Sequence, residues 1–111
     1  MDKIIKINGQ ELKATANAKT PRLYRAIFGK DVIQSMAKYR QAYQKDPETV
    51  DNSFVENLTW LMLKQGGSDV GENVDEWLDS IDDPTAVYMA ANDIVSLWES
   101  NQKTTSIAKK K

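Results

Sequence analysis

Asn8-Gly9 stands between Ile4-Ile5-Lys6-Ile7 and Gln10-Glu11-Leu12-Lys13-Ala14, and it constrains the chain more than any other dipeptide. A two-residue hairpin turn needs positive φ at both central positions, which asparagine and glycine tolerate. The spacing predicts a β-hairpin over residues 4–14, with Ile5, Ile7, Leu12 and Ala14 alternating as its apolar face. Two strands alone are marginal in water. The remainder of the chain must therefore supply the surface that this hairpin covers, and that remainder reads as helix.

Thr20-Pro21 opens the first helical segment, with Thr20 as the expected cap and proline at the first helical position. Leu23, Tyr24, Ile27 and Phe28 follow at helical spacing, and Gly29 is the expected stop. Asp31 caps the second segment, with Gln34 as capping-box partner. Val32, Met36, Tyr39 and Tyr43 fall at offsets 0, 4, 7 and 11, one stripe of that helix, which Pro47 ends. The third segment starts behind Asp51 or Ser53 and carries Phe54, Leu58, Leu61 and Met62 as its main face, widened by Val55 and Trp60. Gly66-Gly67-Ser68-Asp69-Val70-Gly71 reads as a flexible connection without the spacing of a phosphate loop. Asn73 with Glu76 begins a fourth segment, and Asp82 or Asp83-Pro84 a fifth that runs through Trp98. The sum is a mainly α chain, a small helical bundle of five helices with an N-terminal β-hairpin. One domain spans 1–102, and a mobile lysine-rich tail spans 103–111.

A chain of 111 residues predicts a single domain. It holds no histidine and no cysteine, which removes disulfides, thiolate nucleophiles, imidazole bases and zinc sites built on those ligands. No lysine, serine or acid is marked out as a catalytic group, so no enzyme activity and no cofactor is expected. Asp75 and Asp79 share a helical face, but the loop before them lacks the alternating ligands of a calcium site, and solvated acids are the expectation. No apolar run approaches the ~20 residues of a membrane span, and Met1-Asp2-Lys3-Ile4-Ile5-Lys6 does not read as a signal peptide.

The net charge of -1 hides strong segregation. Residues 1–64 are net +4, residues 65–102 hold nine acids and no base, and residues 103–111 are net +4. Compensation within one folded domain accounts for this, and an acidic face for a basic partner is the sharper alternative. This balance gives no support to a general nucleic-acid binder. Arg22, Arg25, Lys30, Lys38 and Arg40 make a modest basic patch, read as a solvated face or as a contact to an acidic partner. Tyr24, Tyr39, Tyr43, Trp77 and Trp98 lie on apolar stripes and are expected in the core. Trp60 lies at the edge of its stripe. With Leu61 and Leu63 it is the expected exposed wall for a partner, Phe54 and Leu58 having entered the core.

Ile5-Lys6-Ile7-Asn8-Gly9, the run from Thr20 to Val32 with its Phe28-Gly29-Lys30-Asp31 step, the Phe54–Gln65 segment and Val74-Asp75-Glu76-Trp77-Leu78 together resemble the small tail assembly chaperones of long-tailed bacteriophages and prophages. The likeness covers about residues 4–100. It implies a protein that binds the tape-measure protein, keeps it soluble and helps recruit tail tube protein around it. It also implies a frameshifted longer form of the same chain, self-association as a possible homo-oligomer, residence in the cytoplasm of the bacterial host, and absence from the mature virion. A structural phage connector or virion component, and a small DNA-binding regulator, are the alternatives. The regulator would need a basic recognition face, which the acidic segment opposes.

Overall fold

The computed structural model describes residues 1–100 with their side chains and the backbone as far as Lys110. The expected mobile tail over 103–111 lies outside the described side chains. Strands β1 (Asp2–Ile7) and β2 (Gln10–Thr15) form a two-stranded antiparallel sheet, Ile5 opposite Leu12 and Ile7 opposite Gln10. They are followed by α1 (Thr20–Phe28), α2 (Val32–Lys45), a short 3-10 turn (Pro47–Thr49), α3 (Asn52–Gln65), α4 (Val74–Asp79), α5 (Ala86–Met89) and α6 (Ala91–Lys110). The architecture is the expected small helical bundle with an N-terminal hairpin. Among the described residues no helix is long and apolar enough to cross a membrane.

Asn8 and Gly9 both take positive φ, 53° and 80°, the geometry that a tight hairpin demands. Ile5, Ile7 and Ala14 turn inward and are buried. Their strands rest on different helices, β1 on α5 and α6 and β2 on α3, and α3 also packs against α1, α2 and all three later helices. Eight of its residues are buried, from Phe54 and Val55 through Leu58 to Leu63 without a gap. A helix apolar on every side belongs in the interior.

Caps fall mostly where the residue types put them. The Asp31 carboxylate accepts from the Ile33 and Gln34 N–H groups, Asn73 accepts from Glu76, and Asp51 rather than Ser53 caps α3 by accepting from Ser53. Thr20 is the exception. Its hydroxyl accepts from the Asn17 N–H and donates to Gln65 Oε1 at 2.6 Å, so the buried threonine ties the start of α1 to the end of α3 instead of capping.

The expected fifth helix is two helices. Asp83 accepts from both the N–H and the hydroxyl of Thr85, which holds a turn through Pro84 and delays the helix to Ala86. Ala90 then takes φ -89° and ψ -3°, its N–H closing a tight turn onto the Val87 carbonyl, and α6 restarts behind it. Tyr43 departs from its stripe as well, 51 % exposed, because the last turn of α2 runs past the edge of the core.

The Gly66–Gly71 connection is anchored, contrary to the sequence expectation. Ser68 N–H reaches the Leu63 carbonyl and Gly67 N–H the Lys64 carbonyl, with Gly67 at φ +87°, which completes a Schellman end to α3. Gly66 serves another purpose. A Cβ there would overlap the Lys13 carbonyl of β2, so only glycine lets helix and strand meet. Ser68 Oγ donates to that same carbonyl at 2.8 Å, and Val70 is buried.

Candidate interaction surface

The expected wall of Trp60, Leu61 and Leu63 is not at the surface. Their exposures are 3 %, 2 % and 0 %, because α4, α5 and α6 close over the side of α3 that its own sequence leaves open. The Trp60 indole N–H donates to the Val70 carbonyl at 3.1 Å, its ring meets Phe28 edge-on at 6.2 Å, and Lys64 Nζ lies 5.4 Å from the ring centroid. Burial of a tryptophan normally requires a partner for its N–H, and the anchored connection supplies one. Arg22 and Arg25 are exposed on α1 as expected, while Arg40 is spent on an ion pair with Glu99 at 3.5 Å. The structure therefore separates the predicted site residues into three core residues and two solvent-facing arginines.

A concave surface does form beside Trp60. The end of α1, the outer side of α3 and the start of α4 enclose a cleft of about 410 Å³. Ile27, Phe28, Val74 and Leu78 give it apolar walls, Trp60 contributes to its floor, and Glu56, Glu72 and Asp75 are its acids. Ile27 is 49 % exposed, a large aliphatic side chain held at the mouth. Glu56 already accepts a short hydrogen bond from the Tyr88 hydroxyl, which raises the Tyr88 pKa above its ordinary value. Tyr24 lies one turn before Phe28 on the same face of α1, the two rings 4.8 Å apart. Burial raises the Tyr24 pKa, and a hydrogen bond with the Asn57 side chain of α3 opposes that shift.

Ile27 keeps the helical period of α1, yet that period carries it past the edge of α3, where it is exposed. The cleft itself depends on how α1 and α4 converge and leaves no trace in either segment alone. Among the described residues, no group of three or more Asp or Glu side chains is arranged to hold a metal ion. Asp75 and Asp79 are both exposed.

No family model, curated protein or solved structure matches this chain.

Proposed function

We propose that this chain is a tail assembly chaperone of a long-tailed bacteriophage or prophage, acting by reversible binding of the tape-measure protein. The cleft beside Trp60 carries the binding half of this reading. It offers apolar walls to one side chain of a client helix and acids to that helix's basic neighbours, the pattern of helix-in-groove recognition. The chaperone half rests on the resemblance over residues 4–100. Its central Phe28-Gly29-Lys30-Asp31 step is a working joint here, with Gly29 left-handed at φ 70° and Asp31 capping α2.

On this reading the chain holds the tape-measure protein soluble while tail tube protein assembles around it, in the host cytoplasm and together with any frameshifted longer form. It leaves before the virion matures. The test is calorimetric binding to tape-measure fragments by the wild type and by Ile27→Asp. Ile27 is half exposed, so the variant keeps its urea midpoint and loses binding. Unchanged binding by Ile27→Asp removes the cleft as the client site. Finding the chain in purified virions turns the reading to a structural component.

A further inference from the structure

The two edges of the hairpin are treated differently. Met1 and Ala16 exchange both backbone hydrogen bonds, at 2.8 and 2.9 Å. Antiparallel pairs alternate, so Lys3 and Ile5 also point their backbone groups at β2, while Asp2, Ile4 and Lys6 point theirs away. On β2 one of the corresponding outward groups is used, since the Lys13 carbonyl accepts from Ser68 against the end of α3. On β1 the outward N–H and C=O groups of Asp2, Ile4 and Lys6 have no hydrogen-bond partner among the described residues. An open edge of this kind is a template for another strand. Ile4 stands on it 58 % exposed, on the face turned away from the core.

We propose that two copies of this chain pair antiparallel along β1, with Ile4 opposite Ile4, joining two hairpins into one four-stranded sheet. The side chains of the edge select this occupant and this register. With the two-fold axis at Ile4, Asp2 of each copy faces Lys6 of the other, and the two exposed isoleucines cover one another. The row across the sheet then alternates in sign, because Lys6 is opposite Glu11 within its own hairpin. All three pairs fall where both strands present free backbone groups. Moving the axis to Lys3 or Ile5 sets a charge against Ile4, and moving it to Asp2 or Lys6 sets like charge on like. A foreign strand meets Lys6 unpaired, so the same lysine that guards the edge admits a second copy. Within its own hairpin Asp2 pairs with Lys13 at 3.4 Å and accepts from the Thr15 hydroxyl at 2.7 Å, the main cause that holds its carboxyl below the ordinary range.

This pairing stands apart from the assembly reading, since its test uses the chain alone. Sedimentation equilibrium is run on the wild type, on Asp2→Lys, on Lys6→Asp and on an equimolar mixture of the two variants, with circular dichroism confirming the fold of each. The wild type shows a monomer–dimer equilibrium. Each single variant places like charges at both ends of the register and dimerises about tenfold more weakly or worse, roughly 1.4 kcal/mol. The mixture restores opposite charges at both ends and recovers the dimer as a heterodimer. A wild type that stays monomeric to millimolar concentration overturns the proposal. So do single variants that dimerise as well as the wild type, or folded variants whose mixture stays monomeric.

Discussion

Helices α2 and α3 have the same length, fourteen residues, and each starts behind an aspartate whose carboxylate accepts from the N–H two residues on. Eight residues of α3 are buried but only three of α2, namely Val32, Met36 and Tyr39. The difference lies in their neighbours. The hairpin and every other α-helix pack on α3, whereas α2 packs on α1, the 3-10 turn and α3 and reaches α6 through the Arg40–Glu99 ion pair. Capping is a local property, fixed by one side chain and three residues of backbone. Burial is a property of what arrives from elsewhere. Two helices with equivalent starts can therefore differ widely in what a mutation costs.

The largest test of this contrast is Trp60→Ala in α3. It removes a buried ring and leaves the Val70 carbonyl without its donor. The expected loss is about 3–5 kcal/mol, read as the shift in urea unfolding. A loss under about 1 kcal/mol would mean that Trp60 is at the surface after all, and that α3 is no more central than α2.

Thr59→Val runs in the opposite direction. Thr59 is fully buried in α3, and its hydroxyl has no hydrogen-bond partner. An unsatisfied buried hydroxyl carries its desolvation cost into the folded state, about 1–3 kcal/mol. Valine keeps the shape and drops the oxygen, so the midpoint of unfolding rises. A lower midpoint would show that the hydroxyl is satisfied in solution.

The caps supply the control. Asp31→Ala and Asp51→Ala each lose one carboxylate that accepts from free N–H groups at a helix start. Each is expected to cost about 1 kcal/mol. Thermal unfolding of the two variants should agree within a few tenths of that. A cap at α3 that costs several times more than its counterpart would show that central position governs even the helix start.

The same distinction explains what was legible in the sequence. Asn8-Gly9, Asp31 and Asn73 act through their immediate backbone, and each does what its type predicts. Thr20 and Gly66 are local signals taken over by distant partners. Gln65 captures the threonine hydroxyl, and the Lys13 carbonyl requires the glycine. Trp60-Leu61-Met62-Leu63 is an unbroken apolar run, a better sign of an interior helix than any face drawn on it. The candidate cleft and the open β1 edge were the least legible. The first needs the convergence of α1 with α4, and the second depends on which edge the helices leave uncovered, since the two-residue turn alone fixes the phase of the hydrogen-bond ladder.

The smallest expected effect is at Tyr43, and it bears directly on where a partner binds. Tyr43 shares the stripe of Val32, Met36 and Tyr39, yet half of it faces solvent, with the Tyr39 ring 6.1 Å away as its aromatic neighbour. Tyr43→Ala loses that contact and little else, so its cost to stability is below about 1 kcal/mol. This makes it the matched opposite of Trp60→Ala, two aromatic truncations on helices of equal length. Because Tyr43→Ala barely disturbs folding, its effect on binding can be read without correction for unfolded chain. Calorimetry with tape-measure fragments should show unchanged affinity if the cleft beside Trp60 is the client site, since Tyr43 does not line it. A tenfold loss of affinity with an unchanged urea midpoint would move the interaction surface from the α1–α3–α4 cleft to the exposed side of α2.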